Sequence, residues 1–197
     1  MNQPARAAAL LTAMLVVGCA TAPEGVPPLP RADTVDLDRF AGDWYVIAHV
    51  PLPPEREAYN AVERYRHCDD GRMETVFRFR DGGFDGDLEI KRPTGYPDPE
   101  GTGAEWGMSF IWPFRAEFIV SWVGADYEST IIARTRRDYA WLMHREPDMA
   151  DAQLADGIAR MVAMGYSEDD IRIVPQAWPE SRGGLAAPSE QSAPVCD

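Results

Sequence analysis

Histidine, cysteine and clustered arginine are the side chains here whose types and spacing could do chemistry. His49, His67 and His144 are the only histidines. A metal centre or a proton relay would need them to converge, yet none stands at a His-x-x-x-His spacing. They fall on three different apolar segments, so each reads as a surface or edge residue. No Gly-x-Ser-x-Gly nucleophile turn occurs, and no glycine-rich phosphate loop opens a helix. Asp85-Gly86-Asp87 and Asp169-Asp170 read as turns without the register of a calcium loop. No metal site, cofactor or enzymatic centre is expected. The chemistry that remains is non-covalent recognition.

Two residue classes could carry that recognition. Arginine gathers in Arg134-Thr135-Arg136-Arg137, at Arg78 and Arg80, at Arg56 and at Arg115. Guanidinium groups hold carboxylate or phosphate through paired hydrogen bonds. Trp112 and Phe114 stand beside Pro113 in a turn, where aromatic rings suit a lipid headgroup layer. The alternative is a solvated face in which Arg137 pairs with Asp138. The second class is apolar: strict alternation puts Phe77, Phe79, Trp106, Met108, Phe118, Val120, Trp122, Tyr139, Trp141 and Met143 on one side of their segments. A net charge of −13 argues against nucleic acid as a partner.

The elements that must position these groups are short and alternate apolar with polar residues, the pattern of an antiparallel all-β domain. Segment A covers residues 44–50, B 58–67, C 73–80, D 86–92, E 104–110, F 116–123, G 127–133 and H 138–145. Asp69-Asp70-Gly71 and Asp81-Gly82-Gly83 supply hairpin turns. After Pro147 the period changes: Leu154, Ile158, Met161 and Val162 predict one helix, with Asp148 or Asp151 as its N-cap and Gly165 near its end. A short strand over residues 171–174 follows.

The first residues speak of location. Arg6 and the apolar stretch over residues 7–17 have signal-peptide proportions, and the stretch is too short to span a bilayer. It ends in Val16-Val17-Gly18-Cys19, which looks like a bacterial lipobox with Cys19 as the acylated residue. The expected organisation is a lipoprotein signal peptide (1–18), a Pro-rich tether (19–33), one barrel domain (34–180) and a flexible tail (181–197). Once Cys19 is acylated, Cys68 and Cys196 remain, either as a disulfide in an oxidising compartment or as two free thiols.

Three motifs carry a family resemblance. Gly42-x-Trp44 heads segment A, Ala125-Asp126-Tyr127 lies between F and G, and Arg145 ends H. Together they resemble the lipocalin family, and within it the bacterial outer-membrane lipocalins and apolipoprotein D. The family commonly has Thr where Ala125 stands. The resemblance implies an eight-stranded antiparallel up-and-down β-barrel with one C-terminal helix packed outside. It implies that Gly42, Trp44, Asp126, Tyr127 and Arg145 close one end, with Arg145 stacked on Trp44.

The connections A–B, C–D, E–F and G–H would then ring the open mouth, bringing Leu52, Arg56, Arg78, Arg80, Trp112, Phe114, Arg134 and Arg136 to its rim. Phe77, Phe79, Trp106, Met108, Phe118, Trp122, Tyr139 and Trp141 would line the bore, with Phe118 and Trp141 foremost by family similarity. The implied function is a membrane-anchored binder of a fatty acid or lysophospholipid, tethered to the outer membrane with its barrel in the periplasm. The alternative is a pigment- or haem-holding lipocalin or an enzyme of that fold. Haem would call on an inward histidine, for which His49 is the candidate. Oligomeric state is not legible.

Overall fold

The computed structural model describes residues 22–180 and Cys196. Cys19, the signal peptide and almost all of the tail lie outside the described residues. The chain forms a one-turn helix α1 (Leu37–Phe40), strands β1 (Gly42–Val50), β2 (Ala58–His67), β3 (Met73–Asp81), β4 (Asp87–Lys91), β5 (Thr94–Pro97), β6 (Glu105–Ile111), β7 (Phe114–Val123), β8 (Ser129–Ala133) and β9 (Ala140–His144), then helix α2 (Asp151–Ala163) and strand β10 (Arg172–Ile173).

Neighbouring strands pair antiparallel throughout, and β9 returns to β1, with Val46 opposite Met143 and His49 opposite Trp141. That last pairing closes the sheet. β4 and β5 both pair with β3 and share one position in the ring, while β10 adds to β1 from outside. Eight positions therefore form the barrel, as the lipocalin resemblance implies.

Segment D is two strands because Pro93, which has no N–H to give a ladder, interrupts it. The Pro93 carbonyl instead accepts from Thr75 N (3.2 Å) and from the Thr75 hydroxyl (2.8 Å).

Alternation sorts the apolar residues into two cores. One fills the barrel with Phe40, Trp44, Tyr65, Phe77, Trp106, Phe118 and their neighbours. The other lies between the outer wall and α2 and includes Ala48, Ile119, Ile131, Leu142 and Met161. Neither Asp148 nor Asp151 caps α2: Ala150 occupies that position without a side-chain cap, and Asp151 is the first helical residue. Gly165 does end the helix as expected. Its φ of 96° lets Gly165 N reach Val162 O (2.9 Å) and Tyr166 N reach Met161 O (3.2 Å).

The Pro-rich lead-in does not stand away from the barrel over its described part. Leu29 is buried in the outer core, Ala32 N donates to Val120 O (2.9 Å), and Pro27 O accepts from Arg137 Nη2 (2.6 Å). At the far end of the chain Cys196 is disulfide-bonded to Cys68. Between them, Gln176 donates to Val46 O (2.9 Å) and Ala61 O (3.2 Å), so the segment after β10 fills the gap where β1 and β2 part.

Candidate ligand-binding site

The closed end forms around Arg145, as the three motifs imply. Its guanidinium carbon lies 3.8 Å from the centre of the Trp44 ring. The guanidinium donates to Asp43 O (2.8 Å), Arg39 O (2.7 Å), Phe40 O (3.2 Å) and Tyr127 O (3.2 Å). Burial lowers its pKa to about 10, against the opposing pull of Asp43 and Tyr65. Trp44 Nε1 donates to Phe40 O (2.8 Å), which fixes the indole across the floor. At Gly42, with φ 101°, a Cβ would stand 3.2 Å from Arg145 Nη1. Asp126 Oδ1 accepts from Glu128 N (3.1 Å), and the Tyr127 hydroxyl accepts from Asp36 N (2.8 Å) under Arg39. These residues build the floor and touch no pocket above it.

The bore is mostly filled. Trp106 stacks on Phe118 (4.8 Å), Phe77 meets Trp141 (4.6 Å) and Phe79 (5.2 Å), and Tyr139 meets Trp141 (5.2 Å). What remains open toward the mouth is an apolar slot of about 30 Å³. That is room for about two water molecules. Phe77, Met108, Phe118, Tyr139 and Trp141 of the alternating set line it, together with Arg134 from the rim. Phe79 and Trp106 are interior but sit behind that lining.

Trp122 is not interior. A bulge between Val120 and Trp122 shifts the alternation, so Trp122 joins the outer core with Arg160 of α2 stacked over it at 4.4 Å.

The rim differs from expectation in three arginines. Arg78 and Arg80 alternate with the inward Phe77 and Phe79, so they face outward and both bind the Glu180 carboxylate, which is nearly unexposed. They do not reach the mouth. Arg137 does not pair with Asp138: at φ 58° it turns back to donate to Met164 O (2.7 Å), Thr135 O (2.7 Å) and Pro27 O. Asp138 pairs instead with Arg134 (3.2 Å) and Arg136 (3.7 Å). Arg134 reaches the slot and lies over Tyr139, whereas Arg136 stays largely in solvent.

Six lining residues were in neither the alternating set nor the expected rim: Glu55, Glu63, Pro93, Phe110, Ala116 and Glu117. Glu55 accepts from Trp141 Nε1 (3.3 Å), and burial lifts its carboxyl to about 7 against the pull of Lys91, Trp141 and Arg134. Glu63 sits opposite Phe77 on β2 and is 1% exposed. The signal for it was a charged residue on the same face as Ala61 and Tyr65, in a segment whose two faces are almost equally apolar.

The histidines disperse. His67 Nδ1 meets Asp38 Oδ1 (2.7 Å), His144 Nδ1 meets Ser129 Oγ (2.9 Å), and His49 is buried but is not a lining residue of the slot. Among the described residues no group of His, Cys, Asp or Glu is arranged to hold a metal ion.

A closed barrel with a plugged floor, an aromatic bore and one outside helix defines the small ligand-holding up-and-down barrels. The lipocalin-like domain family matches residues 35–176, and the chain belongs to that family. It is 27% identical over 174 residues to the outer membrane lipoprotein Blc of Citrobacter freundii, covering 86% of this chain and 94% of that protein. It is 28% identical over 170 residues to Blc of Escherichia coli K12, covering 81% and 89%. Among solved structures, insecticyanin from the tobacco hornworm Manduca sexta superposes with a TM-score of 0.59 at 16% identity, covering 78% of this chain and 87% of that one, a likeness of fold.

Proposed function

We propose that this lipocalin binds one small apolar ligand with an anionic head, a fatty acid or lysophospholipid, and carries or scavenges it within the cell envelope. The observation behind this reading is the continuity of three features. The apolar slot opens beside Arg134, and its lining Phe110 continues into the β6–β7 hairpin, where Ile111, Trp112 and Phe114 are 74%, 85% and 75% exposed. A hairpin of exposed aromatic and aliphatic residues at the mouth suits the headgroup layer of a membrane, from which a lipid can pass directly into the bore.

Each methylene leaving water contributes about 0.8 kcal/mol. Sites for small molecules run to about 300–1,000 Å³, far above the slot of about 30 Å³. Loading therefore displaces rings, and Phe77, Phe118, Tyr139 and Trp141 are among the rings that line the slot.

The location follows the relatives, named outer membrane lipoproteins. In this reading residues 1–18 are removed, Cys19 is acylated, and the barrel stands in the periplasm close to its anchor, since Pro27, Leu29 and Ala32 of the lead-in already pack on it. Native mass spectrometry of the protein extracted from its own membranes tests the ligand class. A bound mass matching a fatty acid or lysophospholipid is the expected result. A visible absorption band would instead favour a pigment or haem, and an empty barrel that fails to quench its tryptophans on palmitate addition would end the lipid proposal.

A further inference from the structure

Within the bore, β2 turns two polar groups into a largely apolar interior. Glu63 lines the slot with Phe77, Met108 and Phe118, and its Oε2 has no hydrogen-bond partner among the described residues. Two residues on, the Tyr65 hydroxyl is also buried without a partner, its ring packed on Phe40, Trp106 and Phe118.

An aliphatic side chain at position 63 would fill the same space with no polar atom to satisfy. Burying a carboxyl with one oxygen left unpaired costs stability, and such costs persist where a ligand meets the group. Burial holds the Glu63 carboxyl well above the ordinary range against a hydrogen bond with Thr75, and Glu55 pushes it the same way. In its neutral form it is a donor and an acceptor at once. Such a group matches a neutral oxygen on a ligand. It gives nothing to a bare methyl end and repels nothing, while an anionic head is better placed at Arg134 by the mouth.

We propose that Glu63 determines specificity at the inner end of the bore, selecting an elongated apolar molecule that carries a neutral hydroxyl or carbonyl oxygen at the end that enters first. This rests on the reading of the bore as an acyl-ligand site.

The test compares palmitate with 16-hydroxypalmitate, which differ only at the entering end, by tryptophan quenching and calorimetry on delipidated full-length protein. The wild type should bind the hydroxy acid about tenfold more tightly. Glu63→Gln, which keeps the shape and the hydrogen-bonding groups, should retain the preference. Glu63→Leu should lose it and bind palmitate at least as well as the wild type. Equal or tighter binding of palmitate by the wild type, or a preference that survives in Glu63→Leu, overturns the assignment while leaving the acyl-ligand site standing. Failure of the wild type to bind either acid overturns both.

Discussion

Arg145 lies over Trp44 at 3.8 Å and at the same time donates to four backbone carbonyls, those of Arg39, Phe40, Asp43 and Tyr127. One side chain thus ties α1, the start of β1 and the β7–β8 turn to the end of the barrel. Arg145→Lys keeps the charge but cannot present the planar fork that reaches several carbonyls together. It should cost about 1–3 kcal/mol, and Arg145→Ala about 2–4 kcal/mol. Urea unfolding checks this, and a Lys variant as stable as the wild type would show that the fork contributes nothing.

Glu180 is the carboxylate partner of both Arg78 and Arg80, with Asn60 donating to it as well (3.3 Å). Glu180→Leu removes the anion and leaves two buried guanidinium groups facing an apolar side chain. The expected loss is about 3–5 kcal/mol. Replacing Arg78 and Arg80 by Met in the same chain should recover much of it. A triple variant no more stable than Glu180→Leu alone would place the loss elsewhere.

Burial lowers the His49 pKa to about 4, and Arg172 adds to the effect. The unfolded chain takes up a proton near 6.5, whereas the folded chain resists until about 4. Stability therefore falls as pH drops through that window, by about 3 kcal/mol in all. Melting curves of the wild type and His49→Gln should converge or cross on acidification, because the variant lacks this penalty. Other groups titrate in both proteins and cancel in the difference. Curves that stay parallel from pH 7 to 4 would remove the argument.

Trp122 and Trp141 separate packing from ligand contact. Trp122→Ala takes a ring from the outer core and from Arg160, and should lower stability by about 1–3 kcal/mol with palmitate affinity unchanged. Trp141→Ala removes a slot wall and the donor to Glu55, and should change affinity at least tenfold. Matching effects of the two variants on binding would contradict the placement of the slot.

Charge reversal at Arg134 and Arg136 addresses the head. The double glutamate variant should bind palmitate about tenfold more weakly and hexadecanol as before. Equal losses for acid and alcohol would rule out recognition of the anion.

Local period and turn chemistry in the chain's own letters determined the run of short antiparallel strands and the helix after H with its Gly165 stop. The closed barrel, and the meeting of Gly42, Trp44 and Arg145 at one end, followed from the resemblance of three motifs to the lipocalin family. Tertiary structure alone decided which face a residue took after a bulge, so Trp122 went outward although its spacing said inward. It also decided which partner each arginine found, because Glu180 lies about a hundred residues from Arg78 and Arg80 in the chain and meets them only once the C-terminal segment folds back. Above all it decided how much of the bore stays open. That depends on how Trp106, Phe118, Phe77 and Trp141 pack against one another, and ring packing is a property of the closed barrel, not of any one strand.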